Sequence, residues 1–426
     1  MTGFETSTVN PDGTSLFTEY YLTGELKRQY GSRTYPVGYG YDYAGRMKTM
    51  TNWSSFPATG VRVTTWNYNA SRGWLDSKLY ADGQGPSYAY TPAGRLQTRT
   101  SARTVDEQPL TTTYEYDNAG ALNTVSYSDS TPGITCTYDR LGRQATVLQS
   151  GMTATFAYNT DNESLGESFS GGTLDGLSVT NTFDEFARRA SLAALNSSTP
   201  FLQHAFGYDD ASRLHSVTDN TGATAYSATY TYLDNSPLVS QITFKQATTT
   251  RMTTTKQYDH LNRLTSISSS PFSSSYAYNN VNQRIRNTLA DGSYWLYEYD
   301  ALGQVRSGRK YWSDQSPVAG QQFEYAHDDI GNRTATKAGG DENGATLRSA
   351  SYSADNLNRY SSRQVPGAAD SLDLAFSTNT VTVTSTDAQN NAAAAYRKGE
   401  YFRKELLLFD ENVRLRAHWR LLVASD

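Results

Sequence analysis

The chain has 426 residues, a formal net charge of −5 and one cysteine. That balance gives no basic face for nucleic acid or an anionic membrane, and no run reaches the apolar length of a membrane-spanning helix. A lone Cys136 excludes an intrachain disulfide framework and any zinc site needing two thiolates. Leu, Ile, Val and Phe together number 72, whereas Tyr alone numbers 32. Apolar surface is therefore carried by Tyr set among Thr and Ser, and Tyr and Thr favour strands. Low net charge and 12% aromatic content argue against disorder. Length suggests two or three domains, and Met1 to Phe17 shows no secretory signal.

In chain order, one phrase recurs: aromatic-x-Tyr-Asp-x-x-Gly-Arg-Leu. An N-terminal copy spans Tyr20 to Leu26. Fuller copies follow at Tyr41, Asp42, Gly45 and Arg46, at Tyr90, Gly94 and Arg95, and at Tyr116, Asp117 and Gly120. They continue at Tyr138, Asp139, Gly142 and Arg143, at Tyr208, Asp209 and Arg213, and at Tyr258, Asp259 and Arg263. A further copy is Tyr299, Asp300 and Gly303. Degenerate copies centre on Tyr68, Tyr158, Phe183, Tyr232, Tyr278, His327 and Tyr352. From Tyr41 to Tyr352 there are 13 gaps over 311 residues, a mean of about 24.

The two aromatics share one face of a strand. Asp, two variable residues and Gly form a type I turn, with Asp accepting a backbone N–H and Gly at positive φ. Gly45, Gly94, Gly142 and Gly303 are expected there. Asn262, Asn282 and Asn358 replace the glycine with the next most tolerant residue; the pattern gives no reason for Ser212. Asp82-Gly83, Asp291-Gly292 and Asn220-Thr221-Gly222 supply a second set of hairpin connectors. Two turns per repeat leave strands of about eight residues, about 28 in all. Leu and a β-branched residue three apart (Leu122/Val125, Leu214/Val217, Leu264/Ile267) predict a bulge in each return strand. Arg46, Arg95, Arg143, Arg213 and Arg263 stand beside the tyrosines, placed for cation–π contact. The fold class is all-β, a long antiparallel meander of hairpins that must curl or wind.

These copies resemble the YD repeats of the RHS (rearrangement hotspot) family, shared with wall-associated bacterial proteins and teneurins. Tyr352 to Asn358 and Ala395 to Phe402 resemble segments of such proteins as well. The resemblance divides the chain into a lead-in over 1–18, a repeat region over 19–360 and a β-rich segment over 361–426. It implies a β-strip wound into a hollow shell, which in bacterial members encloses a C-terminal toxin released by self-cleavage at an Asp-Pro motif. This sequence has no Asp-Pro dipeptide, so the likeness extends to the shell and not to cleavage; the chain reads as a truncated or split member. It further implies a secreted or cell-surface location. The implied partners are a C-terminal toxin, or separately encoded cargo, or a partner completing the shell, with self-association through open edges.

Catalytic strings are absent, no cofactor or metal is expected, and the chain reads as a non-enzymatic scaffold. His204, His215, His260, His327 and His418 read as turn or surface residues. The repeat aspartates read as turn formers, and the adjacent pairs Asp209-Asp210 and Asp328-Asp329 diverge rather than share a proton. Cys136 occupies a first-aromatic position and reads as buried filler. Gly339 to Gly344 is an acidic loop without the EF-hand spacing of a calcium site. A carbohydrate-binding reading through tyrosine rows is the alternative, although the six Trp residues follow no period. Val381 to Thr384 reads as a strand, and so does the start of Tyr401 to Phe409.

Overall fold

The computed structural model describes residues 6–364 in full. Beyond them it describes the backbone of strands Ala369–Ala375, Thr384–Thr386, Ala392–Ala394, Tyr396–Lys398 and Tyr401–Leu407, with the side chains of Tyr396 and Lys398. Val381 to Val383, Leu408, Phe409 and His418 lie outside the described residues.

Strand follows strand with antiparallel pairing between chain neighbours, for example Ile134–Tyr138 with Gln144–Gln149 and Gln144–Gln149 with Met152–Tyr158. The main sheet holds 31 strands. Among the described residues the helical content is one 3-10 turn, Gly172–Leu174. The meander therefore stands as read from the repeat. The strand number exceeds the estimate because Ser7–Val9, Ser15–Tyr20 and Leu26–Gly31 also join the sheet.

The bulges fall where the spacing of apolar residues placed them. Tyr116 faces Leu122 while Glu115 faces Thr124, which leaves Asn123 unpaired. The same slip sets His215 apart in the 208 copy and Thr265 in the 258 copy. One layer of sheet buries few side chains, in keeping with the scarcity of aliphatic residues. Val125, Cys136 and Ala154 are among the buried ones, with a denser group at Ser293, Tyr294, Ser307, Val318, Ala319, Gln322 and Ala350.

The chain forms two compact units. One contains residues up to 45, 50–63 and those from 276 onward; the other contains 46–49 and 64–275. Within the first, segments far apart in sequence meet. The Arg33 N–H donates to the Ala301 carbonyl at 2.9 Å, and the Asp329 N–H donates to the Ser54 carbonyl at 3.1 Å. The Phe56 N–H donates to the Asp329 carboxylate at 2.7 Å. In the same unit Tyr401–Leu407 pairs with both Ala369–Ala375 and Tyr396–Lys398. Lys398 Nζ meets Asp314 Oδ2 at 2.6 Å and also donates to Ser316 Oγ.

Candidate functional site: the lock between repeats

The repeated unit is the only constellation the sequence offers, and it begins at the turn. In the 138 copy the Asp139 N–H donates to the Arg143 carbonyl at 2.9 Å and the Gly142 N–H to the Asp139 carbonyl at 3.0 Å. Asp139 Oδ1 accepts the N–H groups of Leu141 and Arg143 at 2.8 and 3.0 Å. Its Oδ2 accepts Arg143 Nε at 2.7 Å. One carboxylate thus satisfies two turn amides and fixes the arginine. The 209 and 259 turns repeat the arrangement, with Nε–Oδ2 distances of 2.7 and 2.6 Å. Asp42 and Asp117 accept turn amides likewise, and in the 300 turn Gln304 Nε2 donates to Asp300 Oδ2 at 3.0 Å.

The turn geometry matches the expectation. φ is +75° at Gly45, +83° at Gly94, +79° at Gly142, +84° at Gly303 and +90° at Gly120. Asn262, Asn282 and Asn358 take +62°, +65° and +63°. The Gly339–Gly344 loop is another such turn: Asp341 Oδ1 accepts Asn343 and Ala345 N–H groups, and Oδ2 accepts the Thr346 hydroxyl. Asp82 and Asp291 work from the third turn position, each accepting the N–H two residues on. Asn220-Thr221-Gly222 belongs to a longer connector, in which Asp219 holds the Thr221 N–H.

The arginines reach forward into the next repeat, which the sequence did not indicate. Arg143 Nη1 donates to the Asn159 carbonyl at 3.0 Å and Asn162 Oδ1 at 2.9 Å, and its guanidinium lies 4.6 Å from the Tyr158 ring centre. Arg46 donates to the Gly73 carbonyl and covers Tyr68 at 4.3 Å. Arg213 donates to the Ser236 carbonyl and covers Tyr232 at 4.4 Å. Arg95 lies 5.6 Å from the Tyr116 ring. Arg188, in a copy read as degenerate, does the same: it pairs with Asp184, covers Tyr208 at 4.6 Å and donates to Ser212 Oγ at 3.0 Å. That contact explains Ser212, which holds φ +60° and accepts from the preceding repeat.

The tyrosines reach back. In many copies the anchor hydroxyl donates to the carbonyl of the first residue of the preceding return strand. Tyr90 takes Leu75, Tyr116 takes Leu96 and Tyr138 takes Leu122, at 3.0, 2.8 and 2.9 Å. Tyr208 takes Arg189, Tyr258 takes Val239 and Tyr299 takes Arg284, at 2.9, 2.9 and 2.7 Å. Tyr41 stacks edge-on against Tyr21 at 6.1 Å. Where the turn residue is Asn the partner inverts to an acceptor: Asn159 Nδ2 donates to Glu163, and Asn279 Nδ2 to Gln283.

Electrostatics follow the same contacts. The Arg188 side chain holds the Asp184 carboxyl below the usual carboxylate range, with backbone N–H groups assisting. At Asp259 the Arg263 backbone N–H is the largest lowering influence. Burial raises the Tyr258 phenol. Cys136 is a free buried thiol whose sulfur accepts from Gln144 Nε2 at 3.6 Å. Among the described residues no group of three His, Cys, Asp or Glu is arranged to hold a metal, and no helix is long and apolar enough to cross a membrane. A groove of about 230 Å³ in the first unit is lined by Arg309, Glu324 and Lys337. Glu324 pairs with both cations, 2.6 Å from Arg309 and 3.2 Å from Lys337.

Comparison with solved structures places this architecture. The crystal structure of TcdB2-TccC3-Cdc42 superposes at a TM-score of 0.57 and 13% identity, over 94% of this chain and 24% of that one. The Photorhabdus luminescens Tc holotoxin pore carrying TccC3-D651A gives 0.57 at 12% identity, over 91% and 24%. TcdB2-TccC3-TEV gives 0.54 at 14%, over 91% and 22%. This is the YD-repeat strip fold. The toxin chains that share it are RHS/YD-repeat shell proteins, and this chain spans about a quarter of their length. No family model and no curated relative matches the sequence.

Proposed function

We propose that this chain is a non-enzymatic wall segment of an RHS/YD-repeat shell that encloses and delivers a toxin cargo, in a bacterial protein that is secreted or held at the cell surface. The observation that carries the reading is the superposition of more than nine-tenths of the chain on toxin shell chains. Fold alone does not name a function, and the chemistry of the repeat supports the same reading. Where a copy carries the Asp, Arg and Tyr together, as at 138, 208 and 258, they are committed to bonding within the sheet, as a wall requires.

The tyrosine rows are poorly suited to sugar stacking. Arginines cover the rings of Tyr68, Tyr158, Tyr208 and Tyr232, and the anchor hydroxyls are spent on backbone carbonyls. The test is co-expression of the tagged chain with the reading frames adjoining its gene, followed by protease challenge and electron microscopy. A co-purifying polypeptide that resists protease only with the chain present is the expected result. A candidate cargo cleaved equally with and without the chain, or hydrolytic activity in the purified chain, overturns the reading.

A further inference from the structure

The strip has two unlike edges. One carries the Asp-x-x-Gly turns; the other carries the connectors between repeats. In the first unit four successive turns are covered, whereas the turn at Asp42 is open, with Tyr43 95% exposed. The turns beginning at Asn279, Asp300, Asp328 and Asp355 each place an apolar residue third, and Val281, Leu302, Ile330 and Leu357 are all half-buried.

The cover comes from residues 33–62, and much of it from connectors. Arg33 lies between strands Leu26–Gly31 and Val37–Tyr41; Ser54 and Phe56 flank the connector between Met47–Ser55 and Thr59–Tyr68. Arg33 donates to Ala301, and Asp329 takes Phe56 through its carboxylate and Ser54 through its N–H. The Arg62 guanidinium donates to the Asp355 carbonyl at 3.4 Å. A Cβ on Gly331 would meet the Tyr35 hydroxyl at 2.8 Å, so that turn is in close contact too. This sequence therefore builds a connector edge that fits its own turn edge.

In the second unit the same turn positions are bare. Leu141, Phe186 and Leu261, each third in its turn, are 69%, 65% and 66% exposed. One exposed Leu needs no explanation. Three at one repeat position on one edge, where Leu302 and Ile330 are covered, mark that edge, with Asp161, Ala211 and Asn235 in the turns between them. The second turn position matches as well. Asp210 follows Asp209 as Asp329 follows Asp328, and Asp210 is exposed where Asp329 accepts a connector N–H. Glu185 offers the same carboxylate chemistry in the neighbouring repeat and is also exposed.

We propose that the turn edge marked by Leu141, Phe186, Asp210 and Leu261 docks the connector edge of a second copy of this chain. The contact is head-to-tail, because the two edges differ. It buries the apolar third positions and gives Asp210 a backbone N–H, as Asp329 has. The inference stands on the two edges and not on the shell reading; a monomer that still protects cargo removes this inference alone.

The experiment is sedimentation velocity of the full chain from low micromolar to several hundred micromolar. Photo-crosslinking with p-benzoylphenylalanine placed at position 141 accompanies it. Concentration-dependent association with crosslinks in connector segments is expected. The triple variant Leu141→Lys, Phe186→Lys, Leu261→Lys is expected to lose association with an unchanged circular dichroism spectrum. Should that variant misfold, Asp210→Ala alone is expected to weaken association about tenfold. A monomer throughout the range, crosslinks that fall outside connectors, or association unchanged by Asp210→Ala overturns the proposal.

Discussion

Tyr258 shows what one residue contributes. Its ring is half-buried and its hydroxyl donates to the Val239 carbonyl at 2.9 Å, joining one repeat to the one before. Removing only the hydroxyl deletes one hydrogen bond, worth about 0.5–1.5 kcal/mol net. Removing the ring deletes packing as well, which for aromatic deletions costs about 3–5 kcal/mol in a well-packed site. Tyr258→Phe is thus expected to lower unfolding free energy modestly and Tyr258→Ala several times more, measured by denaturant titration at neutral pH. Equal stability of Tyr258→Phe and the parent chain would show that the Tyr–carbonyl link is not a stabilising contact. Ser212 makes the complementary point: a poor glycine substitute is kept where its hydroxyl accepts from Arg188 at 3.0 Å.

At the scale of the hairpin, backbone conformation decides. A Cβ on Gly142 would meet nothing within 4 Å, so its φ of +79° is the whole reason for glycine there. Gly142→Val is expected to cost about 1–3 kcal/mol through backbone strain. Gly142→Asn is expected to cost much less, because Asn262 and Asn358 occupy the same position at +62° and +63°. Thermal melts of the two variants check the contrast, and equal losses would mean that packing, not φ, selects glycine. This level was the most legible in the sequence. The Asp-x-x-Gly turn is local chemistry, its bulge shows in apolar spacing, and both lie within a few residues. The lock was only half legible. Arg213 beside a tyrosine row was evident, but its partner Tyr232 lies in the next repeat, and which repeat is settled by the forward lean of the guanidinium. The cover of the 301 and 329 turns by residues 33–56 left no trace, since Arg33 to Ala301 and Asp329 to Ser54 are backbone bonds that any sequence supplies, and the Asp329 carboxylate takes a backbone N–H of Phe56 far away in sequence.

Across the molecule, stability is a sum of neighbour contacts, as in other repeat chains, and its dependence on pH follows from the turns. Folding lowers the carboxyls of Asp184, Asp259 and Asp355, through the Arg188 side chain at Asp184 and the Arg263 and Arg359 backbone N–H groups at the other two. Asp12 falls to about 2, chiefly through the Thr14 hydroxyl and then Arg33. A carboxyl lowered by folding binds fewer protons folded than unfolded between its two pKa values. Its contribution is complete above the unfolded value of about 4 and is lost as pH falls through the folded value. Stability is therefore expected to hold from neutrality to about pH 4 and then to fall steeply toward pH 2, the Asp12 value. Because these aspartates belong to both units, the loss should extend over the whole sheet rather than one end. Asp184→Asn keeps an acceptor for the turn amides but removes one titrating group, so the slope of unfolding free energy against pH below 4 should become shallower. Denaturant titrations at stepped pH measure that slope. A chain that gained stability as pH dropped through 4 would show instead that the turn carboxylates repel in the folded state, and the Asp–Arg lock would not be what holds the repeats together.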